Sequence, residues 1–310
     1  MIVSTLCHEA GITAWVALAR SLGIEIKWWS PISSSDDDDG RKNNTSAKLS
    51  LETLKPLLSP KTRLVTCGHV SNVFGTIHDI RAVADLVHTI PGALLSVDGV
   101  AWAPHRPIDV KALDVDFYFF SWYKLFGPHY AQMYARRSVQ LRHLSSLNHV
   151  HLDSTALDVK LRLGTGCHEF EDGVLEVVRY LRRVGWGAII RHETDIVAPL
   201  LGYLAEHKEW YTVYGEEGAD PEKRVALVSF TVRGMSSKVV VKGIEDSSPC
   251  RLFAGDAYSI RPVHDVLKLG SDGVVRVSLV HYNTLEDVMT FVEALDRVVK
   301  GRSQGGGLKG

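Results

Sequence analysis

Side chains that can do chemistry follow several of the apolar segments of this chain. Asp98 ends the apolar segment 94–97, and Lys124 follows the segment 115–120. A lysine whose pKa is lowered by burial can form a Schiff base with an aldehyde. A carboxylate can keep a pyridine nitrogen protonated, so that the ring withdraws electrons. Taken singly, each residue also fits an ordinary place, Asp98 as a helix cap and Lys124 as a solvated loop charge.

Other polar groups occupy the same kind of position. His8 follows the N-terminal segment, Asn72 follows the segment 63–70, and Ser121 and Tyr123 lie just before Lys124. Hydroxyls and backbone N–H groups can hold a phosphate, and a flat imidazole can stack on an aromatic ring. Together with the lysine and the carboxylate, these groups form the inventory of a site for pyridoxal 5'-phosphate (PLP).

The elements that must position these residues alternate between strands and helices over the first part of the chain. The pattern predicts strands over Met1–Thr5, Ile24–Trp29, Arg63–Val70, Leu94–Asp98 and Val115–Ser121, and helices over Glu9–Leu22, Leu51–Leu58 and Ile80–Thr89. Such alternation predicts βαβ units and a mainly parallel sheet, in which ligands bind beyond the carboxyl ends of the strands. The fold class is therefore α/β.

The rhythm changes after residue 188. The sequence predicts a helix over Glu193–His207, strands over Arg224–Arg233 and Val274–Val280, and a last helix whose N-cap is Thr284, with Asp287 in capping-box position. We expect a large PLP-binding domain over 1–188, a smaller α+β domain over 189–300 and a disordered Gly-rich tail over 301–310. The polar segment 33–46 is expected to be a solvated loop.

Composition and charge indicate which classes of binding partner this chain is expected to lack. The 310 residues are 45% hydrophobic and 23% charged with a net charge of −1, so neither disorder of the whole chain nor a pull toward nucleic acid or anionic membrane is predicted. No apolar run spans a bilayer, and no signal peptide is visible. The four cysteines form no CxxC pair. We therefore expect a cytoplasmic protein that binds neither nucleic acid nor membrane.

A resemblance adds to this interpretation. The stretch Ser96–His129 resembles the core signature of the class V aminotransferase, or cysteine desulfurase-like, family of fold-type I PLP enzymes. Four other segments resemble family motifs in the same order: Cys7–Trp15, Arg63–Ile80, Leu163–Gly166 and Val274–Val288. The resemblance covers nearly the whole chain. It implies a fold-type I architecture, PLP as cofactor and a small-molecule amino acid as substrate.

The family match implies a role for each matching residue. Lys124 would carry PLP as a Schiff base and move protons at the substrate α-carbon. Asp98 would pair with the pyridinium nitrogen, His8 would stack on the ring, and Asn72 would lie near the cofactor oxygen and the substrate.

The remaining roles concern phosphate and substrate. Ser121 and Tyr123 would contact the cofactor phosphate, and Arg276 would bind the substrate carboxylate through a bidentate fork. Thr165 would contact the phosphate of a neighbouring subunit, which implies a homodimer. An exposed strand position is the ordinary alternative for Arg276.

The sequence departs from the family pattern in several places. The loop Leu252–Ile260, where desulfurases carry a nucleophilic cysteine, has none, and Tyr258 lies nearest that place. Cys250 and Cys167 are the candidate substitutes, and structural thiols are the favoured interpretation of both. The family polar residues expected at 101 and 11 are replaced by Ala101 and Gly11.

A further departure concerns the start of the chain. Family members carry many more residues before the segment that matches His8, including a phosphate-binding loop. We therefore expect an N-terminally truncated member that lacks early elements of the large domain.

These observations predict a PLP-dependent transferase or lyase that acts on an amino acid through a Lys124 Schiff base. Three alternatives stay open. One is a C–S lyase or desulfurase with an atypical cysteine, and another is a decarboxylative, C–C bond-forming or epimerase member. The third is a catalytically impaired homologue that acts as an interaction protein.

Overall fold

The computed structural model describes residues 1–32, 47–147, 156–161, 164 and 166–304. Its strands are β1 (Ile2–Ser4), β2 (Lys27–Trp29), β3 (Leu64–Gly68), β4 (Leu94–Asp98), β5 (Phe117–Ser121), β6 (Ala131–Ala135), β7 (Tyr211–Tyr214), β8 (Leu227–Val232), β9 (Phe253–Gly255) and β10 (Val274–Ser278). Its α-helices are α1 (Glu9–Ser21), α2 (Leu51–Leu54), α3 (Ile80–Val87), α4 (Arg137–His143), α5 (Leu157–Leu161), α6 (His168–Val184), α7 (Trp186–Glu206), α8 (Ser237–Ser247) and α9 (Leu285–Gln304).

A six-stranded sheet forms the first layer, in the order β2-β1-β3-β4-β5-β6. All neighbouring pairs are parallel except β5 and β6, which are antiparallel. The five strands predicted from the sequence are confirmed, each with bounds within a few residues. The mainly parallel α/β sheet is confirmed as well. Strand β6 was not predicted, because its side chains are mostly exposed and its sequence lacks apolar alternation.

A second, four-stranded antiparallel sheet has the order β7-β8-β10-β9. Its core packs β8 and β10 against α7, α8 and α9. Both predicted strands are confirmed as β8 and β10, whereas the sequence pattern did not predict β7, β9 or α8. The predicted helix over 193–207 is confirmed, but it begins earlier, at Trp186. The predicted domain division at residue 188 stays a prediction.

The two ends of helix α9 test the predicted capping box and the predicted disordered tail. Thr284 and Asp287 form the predicted capping box: the Asp287 N–H donates to Thr284 Oγ1 at 3.1 Å, and the Thr284 N–H donates to Asp287 Oδ2 at 2.8 Å. Helix α9 continues to Gln304, four residues into the segment expected to be disordered. The rest of that segment and the loop 33–46 lie outside the described residues. None of the described helices is long and apolar enough to cross a membrane.

The two sheets are joined through the turn that follows β3. The Val225 N–H donates to the Gly75 oxygen at 3.0 Å, and the Ser229 hydroxyl donates to the Val73 oxygen at 2.5 Å. Gly75 has a φ of +70°, and a Cβ there would lie 2.4 Å from the Leu227 oxygen. Only glycine allows this close approach, which brings the second sheet to the edge of the first.

Candidate active site

The carboxyl ends of three parallel strands lie level with one another. In the strand register Gly68 of β3 pairs with Asp98 of β4, and Asp98 pairs with Phe119 of β5. These ends surround an inner cavity of ≈ 220 Å³. Six of the residues predicted from the sequence line it: His8, Asn72, Asp98, Ser121, Tyr123 and Lys124. The structure thus brings them together, as expected for side chains that follow neighbouring strands of a parallel sheet.

Asp98 lies at the end of β4 with its carboxylate against helix α1. The Val100 N–H donates to its Oδ1 at 2.9 Å. Burial raises the pKa of Asp98, and the Val100 hydrogen bond and the charge of Lys124 act against that rise. A Cβ on Gly11 would lie 2.6 Å from Asp98 Oδ2. The glycine at position 11 therefore leaves the space that this carboxylate occupies.

Lys124 lies in a short 3₁₀ helix, Trp122–Leu125, which follows β5 directly. Phe126 ends this turn in the left-handed conformation, with a φ of +64°. Burial lowers the pKa of Lys124, the charge of Asp98 raises it, and the charge of Arg276 lowers it further. The net result is a lowered pKa. At neutral pH, more of this amine is therefore neutral than in a free lysine.

Arg276 reaches the site from the second sheet. Its side chain extends from β10 and is partly buried. The Arg276 Nη1 donates to the backbone carbonyl oxygen of Asn72 at 2.9 Å. The guanidinium lies 5.1 Å from the centre of the Phe253 ring, within cation–π range. Its Nε is buried without a hydrogen-bond partner among the described residues. An oxygen ligand would satisfy that N–H, since unpaired buried donors are costly.

An outer cavity of ≈ 380 Å³ lies next to the inner one. Its lining comprises His8, Asn72, Tyr123, Lys124, Phe253, Ala257, Tyr258 and Arg276. Four of these residues also line the inner cavity. The two cavities therefore share a boundary at Lys124, and Arg276 belongs to the outer one. The sequence patterns did not mark Phe253, because a single aromatic residue in a three-residue strand is an ordinary core feature.

His8 has a structural role as well as a place in the cavity. It is the N-cap of α1, and its Nδ1 accepts a hydrogen bond from the Ala10 N–H at 3.1 Å. Burial and the charges of Lys124 and Arg276 lower its pKa. The imidazole is therefore neutral over a wider pH range than a free histidine.

The amide of Asn72 is occupied by the loop after β9. Its Nδ2 donates to the Ala257 oxygen at 3.1 Å, and its Oδ1 accepts from the Ser259 hydroxyl at 2.9 Å. Asn72 thus links the turn after β3 to this loop, a role that the sequence did not indicate. The predicted contact of Asn72 with cofactor and substrate stays a prediction.

Ser121 and Tyr123 flank the cavity differently. Ser121 ends β5 and is partly buried, whereas Tyr123 is 46% exposed and stacks on His129 with the ring centres 5.0 Å apart. Thr165, the last of the predicted site residues, lies outside the described residues.

The buried ring of His69, stacked on the partly buried Trp102, lies beside the strand end that carries Asp98. His69 stacks on Trp102 at 3.7 Å between ring centres, and its Nδ1 lies 2.9 Å from the Tyr118 hydroxyl. Burial lowers the pKa of His69 to about 3, so this ring is neutral. The backbone N–H of His69 also donates to the backbone carbonyl oxygen of Asp98 at 2.8 Å. The backbone of Asp98 is thus held by His69, whose ring is uncharged.

With this geometry in view, comparison with known proteins identifies the family. The family model described as "Aminotransferase class-V" matches residues 1–291. The chain belongs to the class V aminotransferase family.

Three curated relatives illustrate the breadth of this family. The "Cysteine desulfurase-like protein ustD" of Aspergillus flavus is 52% identical over 301 residues, covering 96% of this chain and 67% of that protein. The "Nonribosomal peptide synthetase-like enzyme fsqF" of Aspergillus fumigatus is 53% identical over 306 residues, covering 98% of this chain. The "Aminotransferase-like protein FGM3" of Gibberella zeae is 44% identical over 302 residues, covering 96% of this chain and 72% of that protein. The chain spans only 20% of fsqF.

Solved structures agree on the fold. The cysteine desulfurase CsdA of Escherichia coli superimposes with a TM-score of 0.80 at 24% identity, covering 96% of this chain and 71% of that one. The apo cysteine desulfurase of Thermococcus onnurineus gives 0.78 at 28% identity, covering 97% and 72%. The predicted fold-type I architecture is confirmed. This chain spans about 70% of the length of these two structural neighbours.

The cysteines separate this member of the class V aminotransferase family from the pattern expected of desulfurases. Neither Cys250 nor Cys167 lines the inner or the outer cavity. Cys250 lies beside the core of the second sheet, and the Cys167 thiol donates to Glu169 at 3.2 Å. Cys7 does line the inner cavity, but burial raises its pKa well above the usual value. It is therefore a thiol, not a nucleophilic thiolate, at neutral pH.

Proposed function

We propose that this chain is a PLP-dependent transferase or lyase that acts on an amino acid, with Lys124 as the residue that binds PLP covalently. One observation carries the proposal. Lys124, with its lowered pKa, and Asp98, with its buried carboxylate, line the same cavity of ≈ 220 Å³ at the carboxyl edge of a parallel sheet. The family membership supports it, since the desulfurases and aminotransferases of this family use PLP.

The residues present fit this cofactor. Asp98 supplies a carboxylate that is held rigidly and can pair with a ring nitrogen, and Lys124 supplies an amine. Ser121 adds a hydroxyl at the end of β5, and Tyr123 adds a phenol beside it. His8 adds a flat ring at the boundary of the two cavities. When bound, PLP supplies an aldehyde for covalent attachment and a ring that withdraws electrons from the amino acid α-carbon.

The residues of this chain then divide the remaining work. The amine of Lys124, whose pKa burial lowers, would accept the proton from the α-carbon and return it. When PLP is bound, the Asp98 carboxylate would hold a proton on the ring nitrogen. Arg276 orients the substrate through its carboxylate, with its unpaired Nε–H among the available donors. The homodimer and the cytoplasmic location stay predictions.

Covalent labelling tests the proposal. We expect that protein incubated with PLP and reduced with borohydride carries one phosphopyridoxyl group, and that peptide mapping by mass spectrometry places it on Lys124. Lys124→Ala is expected to lose the label, and Lys111→Ala, which changes an exposed lysine, is expected to keep it. Wild-type protein without label, or with label spread over exposed lysines, contradicts the proposal. Such a result favours the alternative of a catalytically impaired homologue that acts as an interaction protein.

Arg276→Lys tests the substrate contact. Lysine keeps the positive charge but loses the planar fork, so we expect the apparent Kd for an amino acid to rise by ~10-fold or more while labelling of Lys124 persists. The Kd is measured from the change in cofactor absorbance during titration. The control is Arg251→Lys, which alters an exposed arginine. An unchanged Kd in Arg276→Lys removes the carboxylate assignment.

A further inference from the structure

Hydrogen bonds within the loop after β9 and to neighbouring elements hold residues 256–259 in place. The Tyr258 N–H donates to Asp256 Oδ1 at 3.0 Å. The Ser259 N–H donates to the backbone carbonyl oxygen of Asp256 at 2.9 Å. The backbone carbonyl oxygen of Tyr258 accepts from the backbone N–H of Glu9, at the start of α1, at 2.9 Å. The amide of Asn72 binds the loop on both sides of Tyr258, as described above. The backbone at Tyr258 therefore has a defined position over the site.

Backbone conformation sends neighbouring side chains of this loop in different directions. Ala257 and Tyr258 both have the left-handed conformation, with φ of +52° and +55°. Such a conformation is unfavourable for a non-glycine residue and needs surrounding contacts to persist. Ala257 is 3% exposed, whereas Tyr258 is 69% exposed. The loop thus buries the small side chain and presents the large one.

The Tyr258 ring lines the outer cavity together with the charged side chains of Lys124 and Arg276. Its aromatic contact within the described part of the chain is His8, with ring centres 5.9 Å apart at 42°. Its hydroxyl makes no hydrogen bond to another described residue. Lys124 and Arg276 line the same cavity, and Tyr258 does not line the inner one. A ring that is 69% exposed, lines the outer cavity and stands on a hydrogen-bonded backbone is a wall of this cavity rather than part of the core.

We propose that Tyr258 is a specificity-determining residue, whose ring limits the length of the amino acid side chain that the outer cavity accepts. The inference rests on the proposed function, because it places the substrate carboxylate at Arg276 and the α-carbon near Lys124. The side chain of a bound amino acid then extends within the outer cavity. A substrate that is longer by a few methylene groups has to displace the ring.

A series of amino acids with straight side chains of increasing length tests whether the Tyr258 ring limits side-chain length. PLP-loaded wild type, Tyr258→Ala and Tyr258→Phe are titrated with alanine, norvaline and norleucine, and the apparent Kd is read from the cofactor absorbance. We expect the ratio of Kd for norleucine to Kd for alanine to fall by ~10-fold in Tyr258→Ala, since a methylene in a pocket changes discrimination by ~10-fold or more. Tyr258→Phe keeps the ring and is expected to keep the ratio. Tyr282→Ala, which removes an exposed tyrosine outside both cavities, is the matched control.

The outcomes separate this inference from the function beneath it. Labelling of Lys124 is measured in the same preparations. If wild type takes no label, the proposed function fails, and the inference fails with it. If the label is present but Tyr258→Ala keeps the wild-type ratio, only the inference is overturned. The inference is also overturned if the ratio of Kd for norleucine to Kd for alanine falls as far in Tyr258→Phe as in Tyr258→Ala. The hydroxyl, and not the ring, would then determine the preference for short side chains.

Discussion

Replacing Asp98 by asparagine is expected to slow exchange of the amino acid α-proton at least ~100-fold while the label on Lys124 persists. Asparagine has the same shape, so it can still accept the hydrogen bond from the Val100 N–H and still fits against Gly11. What it lacks is the negative charge that would hold a proton on the ring nitrogen. The change thus removes the electrostatic contribution of Asp98 and leaves the packing of the cavity intact.

Exchange of the alanine α-proton in D₂O, followed by NMR on PLP-loaded protein, measures this effect. Asp265→Asn, at an exposed position, is the control. A second signature comes from Lys124, because the charge of Asp98 raises its pKa. Removing that charge lowers the pKa, so the pH midpoint for labelling of Lys124 should move to lower pH. An exchange rate in Asp98→Asn equal to that of the wild type refutes the role proposed for Asp98.

Strand-end reasoning found the part of the site that belongs to the first sheet. Asp98 and Lys124 follow neighbouring parallel strands, and parallel strands bring their carboxyl ends to one edge. Such reasoning cannot place Arg276, since the sequence does not show how an antiparallel sheet packs against that edge. The resemblance to the family supplied Arg276 instead. The structure accounts for its position through the close approach at Gly75.

The residues that sequence reasoning did not resolve belong to loops and to tertiary contacts. The contact of Asn72 with cofactor and substrate, implied by the family resemblance, stays a prediction, but its amide also holds a loop that lies 185 residues further along the chain. No local pattern encodes a hydrogen bond over that separation. Strand β6 was not predicted for a different reason: its mostly exposed side chains lack apolar alternation, and its antiparallel pairing with β5 lies outside the βαβ pattern.

Gly273→Ala is expected to lower the free energy of unfolding by ~3–5 kcal/mol. Gly273 has a φ of +63° and a ψ of −140°, a region open essentially to glycine alone. A Cβ there would lie 2.1 Å from the carbonyl carbon and oxygen of Gly255. These atoms are backbone, so no side chain can move aside, and the β9–β10 pairing that begins at Val274 must shift.

Gly270→Ala provides the matched control for this substitution. Gly270 has nearly the same φ, +64°, but a Cβ there would meet nothing within 4 Å. It should cost only ~1 kcal/mol, the penalty for a left-handed alanine. Urea unfolding compares the two variants, and equal losses would contradict the steric explanation. Because β10 carries Arg276 and β9 leads into the loop of Tyr258, folded Gly273→Ala should also bind amino acids more weakly than Gly270→Ala. The stability of this strand pair and the geometry of the outer cavity therefore depend on the same glycine.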